Sequence, residues 1–336
     1  MNTVQNIVSH FLAFVALITV LFHSPQPLTV QQTSVALNPL SIQAMRLRDY
    51  PGSDITIERT LTPASSYNRY IASYESDGLK IDALLLVPKK GRPQNGWPVV
   101  ILNHGYIIPE KYTPDGNYIP YADAFAKNGY IVFKPNYRGN GESEGSPTST
   151  YYSPDYAIDD LNAIASVKKY KDADPGKIGV WGHSMGGNIT LRDLVVDRTD
   201  IKAAVIWGGV VGSYNDIMNN WQGRVSYVPN SEDLMLRNKN RDVLVGIYGT
   251  PTTNPDFWNS LDPTNFLKDI TVPVQIDVGL ADNQVPPDFS KGLYDKLKAA
   301  GKVTEYFGYP GSNHDINQAF ALAMQRTISF FNRYLK

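Results

Sequence analysis

Residues 178–187 read Ile178-Gly179-Val180-Trp181-Gly182-His183-Ser184-Met185-Gly186-Gly187. The first four residues form a continuous apolar run of the kind that a buried parallel strand shows, and a helical pattern follows the last glycine. Between them lies the pattern G-x-S-x-G, which in this context places the serine at the apex of a sharp strand-to-helix turn. We expect a side chain at Gly182 or Gly186 to collide with neighbouring backbone. The turn therefore predicts that Ser184 projects above the carboxyl edge of a sheet.

Apolar runs and helical patterns alternate on both sides of this turn. The runs predict strands at 70–76, 79–87, 99–102, 130–133, 178–181, 203–207, 274–278 and 303–309. The helical patterns cover 121–128, 156–170, 187–196, 288–300 and 316–334. Strands that alternate with helices predict an α/β fold with a mostly parallel central sheet and helices on both faces. Asp77-Gly78 between the first two runs predicts an antiparallel hairpin at the start of the sheet.

The interval from residue 208 to residue 271 is far longer than a normal crossover loop. Its aromatic residues favour an inserted cap over a disordered loop, among them Tyr214, Trp221, Tyr227, Phe257 and Trp258. These side chains would either contact an apolar part of a ligand or pack against the body of the domain. The sequence leaves both interpretations open.

The first 45 residues form an uncharged leader. They contain no Asp, Glu, Lys or Arg, so all 31 basic and 32 acidic side chains lie from Arg46 onward. Residues 11–22 form an apolar run that is shorter than the roughly 20 residues of a membrane span and fits the apolar region of a secretory signal. No Lys or Arg precedes the run, which is a departure from that pattern, and a buried N-terminal helix is the alternative interpretation.

Residues 24–44 are rich in Pro, Gln, Ser and Thr and predict an unstructured spacer. Ser34-Val35-Ala36 within it has the small–x–small form that a signal peptidase prefers. We therefore divide the chain into a leader, 1–45, and a single domain, 46–336, that carries the cap at 208–271. The leader predicts a protein that is exported, extracellular or periplasmic, or that is anchored to a membrane through its N-terminus.

A serine hydroxyl is a weak nucleophile and needs a base. The chain has five histidines: His10, His23, His104, His183 and His314. Where the nucleophile lies on a turn of this kind, the chain order is serine, acid, histidine, and only His314 follows Ser184. His104 belongs to an earlier loop, and His183 lies inside the turn, where we expect the side chain to point away from the site. His314 is therefore the predicted base.

An acid must hold the base in its working tautomer. Active residues in such sheets collect at the carboxyl ends of strands, and Asp282 lies just beyond the strand predicted at 274–278. Asp277 lies inside that strand and Asp288 opens the next helix, so each has a structural explanation. We predict Asp282 as the acid, with Asp288 as the alternative.

Two backbone N–H groups are candidates for stabilising a developing oxyanion. That of Met185 lies at the start of the helix after the turn, where the helix dipole favours negative charge. That of Tyr106 lies in Asn103-His104-Gly105-Tyr106, directly after the strand predicted at 99–102. A simple strand-to-loop turn is the alternative interpretation of the second segment.

These residues resemble the α/β-hydrolase superfamily, over about residues 70–336. Three further segments carry the resemblance. The first, Tyr137-Arg138-Gly139-Asn140-Gly141-Glu142-Ser143, is similar to the superfamily's D-x-R-G-x-G-x-S loop, with Asn136 where an acid is usual. The other two, 174–181 and 74–80, are similar to the prolyl-oligopeptidase (S9) branch, which also includes dienelactone-hydrolase-like enzymes and acyl esterases.

The resemblance implies a serine hydrolase that cleaves an ester or a peptide bond through Ser184, His314 and Asp282. Peptidases of that branch usually carry a β-propeller ahead of the catalytic domain, and the interval between Arg46 and residue 70 is too short for one. We therefore slightly favour an esterase over an S9-like peptidase without a propeller. A non-catalytic ligand-binding protein on the same fold is the third interpretation.

The composition argues against several other classes. A net charge of -1 gives no reason to expect nucleic acid as a partner. The chain has no cysteine, no H-E-x-x-H and no phosphate-binding glycine loop, so we expect neither a metal nor another cofactor. The expected partner is a small-molecule ester or peptide substrate, with membrane contact only through an N-terminal anchor.

Overall fold

The computed structural model of the chain describes residues 37–148, 151–221 and 231–336, the side chains of 231–238 excepted. Residues 1–36 of the predicted leader and Tyr227 of the predicted cap lie outside the described residues. Residues Leu37–Lys336 cluster as one unit.

The described strands form one sheet. They are β1 (Thr56–Leu61), β2 (Tyr67–Ser76), β3 (Leu79–Pro88), β4 (Trp97–Asn103), β5 (Ile131–Pro135), β6 (Ala173–His183), β7 (Ile201–Trp207), β8 (Val274–Gly279) and β9 (Thr304–Tyr309). Their order across the sheet is β1-β2-β3-β5-β4-β6-β7-β8-β9. Strands β1, β2 and β3 pair antiparallel, β3 pairs antiparallel with β5, and the other pairs are parallel. The predicted fold class, an α/β sheet that begins with an antiparallel hairpin, is confirmed.

The described α-helices lie before, between and after these strands. They are α1 (Ile42–Arg46), α2 (Ile119–Lys127), α3 (Asp155–Val167), α4 (Met185–Val196), α5 (Ser231–Tyr248), α6 (Pro255–Leu261), α7 (Pro287–Ala299) and α8 (Phe320–Leu335). Short 3-10 helices cover Pro109–Lys111, Pro263–Asn265, Leu267–Asp269 and Asn317–Ala319, and a π-helix covers Asp216–Asn220. Of the helices described, none has the length and apolar character needed to cross a membrane.

Burial on both faces explains why the central strands are continuous apolar runs. Every residue of β4 is buried. Its odd and even side chains contribute to two different hydrophobic clusters, with Val99 and Ile101 in one and Val100 and Leu102 in the other. Two cores on opposite faces of one sheet are what a helix–sheet–helix sandwich requires.

The hairpin of β2 and β3 turns at Asp77 and Gly78, with φ of 54° and 76°. Two successive residues with positive φ make the tight turn that matches the twist of paired strands, and Asp and Gly tolerate this conformation. The register then runs without interruption from Ser76 paired with Leu79 to Tyr67 paired with Pro88.

The predicted spacer is wrong for the residues just before Arg46. Residues Ile42–Arg46 form α1, which begins where the Ser41 hydroxyl accepts a hydrogen bond from the Ala44 N–H at 3.1 Å. Ile42 and Met45 are buried, and the Arg46 guanidinium donates to the carbonyl of Val195 at 2.6 and 2.8 Å. The packed part of the chain therefore begins before residue 46, because two apolar side chains one helical turn apart find a place in the core.

The predicted cap interval contains the π-helix, α5, α6 and two 3-10 helices among its described residues. Three of its aromatic side chains, those of Tyr214, Phe257 and Trp258, are buried. Trp221 is partly exposed, and its indole N–H donates to the carbonyl of Gln284 at 2.7 Å. Packing against the domain therefore accounts for Tyr214, Phe257 and Trp258, while Trp221 contacts the loop that follows β8.

Candidate active site

Ser184 lies between the end of β6 and the start of α4 with φ 57° and ψ −119°, a conformation that few residues adopt. The turn is held by its backbone. The Ser184 N–H donates to the carbonyl of Trp207 at 3.0 Å, and its own carbonyl accepts from Gly187 and Val210 at 3.0 Å.

The two glycines of the turn are required for the reason predicted from the sequence. A Cβ at Gly182 would lie 2.3 Å from the carbonyl oxygen of Gly186, and one at Gly186 would lie 1.9 Å from that of Asn103. The second contact also shows that the end of β4 passes directly beside the turn.

Asp282 and His314 come together from the loops after β8 and β9. The carboxylate Oδ2 of Asp282 lies 2.7 Å from Nδ1 of His314, and both side chains are buried. The other carboxylate oxygen accepts from the N–H groups of Gln284 and Val285 at 2.8 and 2.9 Å. Because the carboxylate accepts, Nδ1 carries the proton and Nε2 keeps a lone pair.

The end of β7 lies between the serine turn and the pair formed by Asp282 and His314. Trp207, the last residue of β7, accepts the Ser184 N–H, and Gly208 follows it. A Cβ at Gly208 would lie 3.3 Å from Nδ1 of His314 and 3.4 Å from Oδ2 of Asp282. The structure therefore brings the three residues predicted from the sequence to one edge of the sheet.

The alternative acids lie elsewhere. Asp277 is buried within β8, where its carboxylate accepts from the Tyr309 hydroxyl at 2.6 Å and burial raises its pKa to about 7. Asp288 lies in the first turn of α7. Asp282 is the carboxylate that contacts His314.

The loop after β4 passes close to the serine. A Cβ at Gly105 would lie 3.0 Å from the Cβ of Ser184. The carbonyl of the Gly105–Tyr106 peptide is 2.8 Å from Nδ1 of His104, and burial lowers the pKa of His104 to about 3, so the neutral ring donates through Nδ1. In a trans peptide the N–H points opposite to the C=O, so this bond fixes the direction of the Tyr106 N–H. No role was predicted for His104 from the sequence.

The direction of the His183 side chain differs from the one predicted from the sequence. We expected its side chain to point away from the site, yet its ring centroid lies 4.5 Å from that of His314. Its Nε2 is 3.2 Å from the carbonyl oxygen of His314, and its Nδ1 is 2.6 Å from the hydroxyl of Tyr118. Tyr118 was not predicted, because no motif or periodicity marks a single tyrosine in a loop.

Over residues 37–148, 151–221 and 231–336, no group of three His, Cys, Asp or Glu side chains is arranged to hold a metal ion. What the arrangement can do chemically is acyl transfer: a serine at the apex of a turn, a histidine oriented by a carboxylate, and backbone N–H groups beside the serine.

The fold and the site define a serine hydrolase of the α/β-hydrolase class. A family model described as "Serine aminopeptidase, S33" matches residues 97–242. The chain is similar to an uncharacterised peptidase of Bacillus subtilis (strain 168), YtmA, with 25% identity over 75% of this chain and 88% of the relative.

Solved structures share the fold. An acetyl xylan esterase from Paenibacillus sp. R4 is similar with a TM-score of 0.64 and 19% identity, over 88% of this chain and 92% of the esterase. Dipeptidyl peptidase 4 of Porphyromonas gingivalis is similar with a TM-score of 0.63 and 19% identity, over 80% of this chain and 36% of the peptidase. The chain has the α/β-hydrolase fold, and the family match over residues 97–242 together with the similarity to YtmA supports a hydrolase.

Proposed function

We propose that this hydrolase cleaves a carboxylic ester through a covalent acyl-enzyme on Ser184, with His314 as the base and Asp282 as its orienting acid. The observation that carries the proposal is the buried 2.7 Å contact between Asp282 and His314 at the sheet edge where Ser184 lies. A carboxylate–imidazole pair of this kind, beside a serine on a strained turn, has the geometry that activates a hydroxyl.

In the first half of the reaction the Ser184 hydroxyl attacks the substrate carbonyl, and Nε2 of His314 takes its proton. The oxyanion that forms accepts hydrogen bonds from the backbone N–H groups of Met185 and Tyr106. Collapse of this intermediate expels the alcohol, which receives the proton from His314. Asp282 stabilises the imidazolium while it exists.

In the second half a water molecule attacks the acyl-enzyme and gives a proton to His314. The tetrahedral intermediate breaks its bond to Ser184, the serine oxygen recovers the proton, and the carboxylic acid leaves. An amide substrate would follow the same steps with an amine as the leaving group.

Replacement of Ser184 tests the mechanism directly. Ser184→Ala is expected to lower turnover by about four orders of magnitude or more, since the remaining groups only bind and polarise the substrate. A fluorophosphonate probe is expected to label the native protein at Ser184 and to leave Ser184→Ala unlabelled.

Ser166→Ala is the matched control, because Ser166 is a buried serine of α3 that accepts from the N–H of Ser53 at 2.9 Å. It should keep native turnover and labelling. Near-native hydrolysis by Ser184→Ala would refute the assignment, and a native protein without label or turnover would favour the ligand-binding interpretation.

The choice of ester over peptide rests on the extent of the similarity to solved structures, and it is made against a peptidase relative from Bacillus subtilis that is matched over 88% of its length. The chain has counterparts for 92% of the acetyl xylan esterase and for 36% of the dipeptidyl peptidase. Turnover of short acyl esters is therefore expected to exceed turnover of peptide anilides when both are assayed in parallel. Faster turnover of the anilides would reverse the choice and leave the role of Ser184 intact.

We also propose that the uncharged leader directs export. The support lies in the apolar run at 11–22 and in Ser34-Val35-Ala36, after which the unit Leu37–Lys336 begins.

A further inference from the structure

Three segments that surround Ser184 are joined by one series of hydrogen bonds through the side chains of Tyr118 and His183. The N–H of Gly105 lies 2.7 Å from the hydroxyl of Tyr118, and that hydroxyl lies 2.6 Å from Nδ1 of His183. Nε2 of His183 lies 3.2 Å from the carbonyl oxygen of His314. The loop after β4, the serine turn and the histidine loop after β9 are thereby linked.

The chain of hydrogen bonds has one consistent direction. The hydroxyl oxygen of Tyr118 accepts the Gly105 N–H and donates its own proton to Nδ1 of His183. Since Nδ1 accepts, Nε2 of the neutral ring carries the proton and donates it to the carbonyl of His314. Tyr118 and His183 each accept one hydrogen bond and donate one, while Gly105 only donates and the carbonyl of His314 only accepts.

Desolvation keeps Tyr118 and His183 in the neutral forms that this series of hydrogen bonds requires. Desolvation lowers the pKa of His183 well below its ordinary value, and positive charge on His314 acts in the same direction. Desolvation also raises the pKa of Tyr118 well above its ordinary value. The nearest carboxylate oxygen to His183, Oδ1 of Asp315, is 3.7 Å from Nε2, beyond hydrogen-bond distance.

Tyr118 has a strained backbone, and aromatic rings pack against its partner, His183. The backbone of Tyr118 has φ 62° and ψ 19°, a left-handed conformation that is unfavourable for a large side chain and persists only where the surroundings impose it. The rings of Trp181 and Tyr121 stack on that of His183 at interplanar angles of 14° and 22°. In this conformation the Tyr118 hydroxyl lies within hydrogen-bond distance of both Gly105 and His183.

We propose that Tyr118 and His183 are positioning residues for the hydrolysis, an inference that rests on the proposed function. Tyr118 holds the peptide that precedes the Gly105–Tyr106 peptide, and so sets the position of the oxyanion donor. His183 holds the carbonyl of His314, and so sets the position of the base. Together they fix the distance between the oxyanion donor and the base across the serine, although neither side chain is assigned a contact with substrate.

The test compares Tyr118→Phe with Tyr130→Phe in the full-length protein. Each variant removes one buried hydroxyl, since the Tyr130 hydroxyl lies 2.8 Å from Oδ1 of Asn332, away from the site. We expect Tyr118→Phe to lower kcat about 10- to 100-fold with KM changed less than about threefold, because positioning errors reduce the chemical step more than substrate binding. Tyr130→Phe is expected to keep native kcat.

A second pair of variants distinguishes positioning from simple packing. His183→Gln keeps an amide N–H that can donate to the carbonyl of His314, whereas His183→Leu keeps only bulk. We expect His183→Gln to retain at least about tenfold more kcat than His183→Leu. This comparison also keeps the inference testable if Tyr118→Phe fails to fold.

Failure of the positioning role and failure of the proposed function give different results. Native kcat in Tyr118→Phe together with equal kcat in the two His183 variants would overturn the positioning role, even if both lower the unfolding temperature. Failure of the proposed function would instead appear in the unaltered protein, as absence of labelling at Ser184 and of turnover, before any variant is compared.

Discussion

Lys134 is a residue whose burial has a measurable consequence. It lies in β5 with its ammonium nitrogen 2.6 Å from the carbonyl oxygen of Asn117 and 5.2 Å from the centre of the Tyr112 ring. Desolvation lowers its pKa from 10.5 to about 7, against the opposing effect of the charge on Asp115. Lys134 thus anchors the loop that ends at Tyr118 while carrying little charge above neutral pH.

The pH dependence of stability tests this burial. Between pH 7 and 10 the unfolded chain binds a proton at Lys134 that the folded chain does not, so the free energy of unfolding should rise with pH through this group. The slope can reach about 1.4 kcal/mol per pH unit. Measured by urea unfolding, the stability of the native protein relative to Lys134→Met should therefore increase across this window. A difference that stays flat would show that Lys134 is charged in the folded protein.

The central strands were predictable because of where they lie. Strand β4 and the part of β6 from Ile178 onward are covered on both faces, so each contains the apolar run from which it was predicted. Strand β1 was missed, since five of its six residues are exposed and only its pairing with β2 identifies it. Predicted helix 316–334 begins later, at Phe320, because Ile316 adopts a left-handed conformation with φ 54°.

Helix α1 was missed for a related reason. Five residues are too few for a periodic pattern, and the surrounding Pro, Gln and Ser suggested a spacer. Its stability comes from tertiary contacts: the buried Ile42 and Met45, and the Arg46 guanidinium, which also pairs with Asp269 at 2.9 Å.

Truncation measures what this helix contributes. A chain that begins at Leu37 should unfold at the same denaturant concentration as the full chain, whereas one that begins at Asp49 should lose about 3 kcal/mol or more from the two buried side chains. Turnover of the two chains should agree under conditions where both are folded. Ile42→Asp in the full-length chain is the matched point variant and should reproduce much of the loss. Equal stability of the two truncated chains would contradict the packing of α1.

At the scale of the molecule, the order of the strands explains which site residues sequence reasoning could find. Ser184, Asp282 and His314 each follow a strand, and parallel strands bring their carboxyl ends to one edge. Position after a strand and order along the chain were therefore sufficient. Tyr118 and His183 could not be found in this way, because their placement depends on contacts between segments that are 65 and 131 residues apart.

The asymmetry of charge along the chain is a property of the whole molecule, and the export that we propose for the uncharged leader can be tested directly. A bacterial host that produces residues 1–36 fused to alkaline phosphatase should show phosphatase activity, since this reporter needs an oxidising compartment to form its disulfides. The double variant Leu17→Lys and Val20→Lys interrupts the apolar run and should abolish the activity, while equal amounts of fusion protein are made.

N-terminal sequencing then separates the two forms of export. A product that begins at Leu37 indicates a cleaved signal, and an intact product in the membrane fraction indicates an anchor. A reporter that stays inactive with the native leader would refute export.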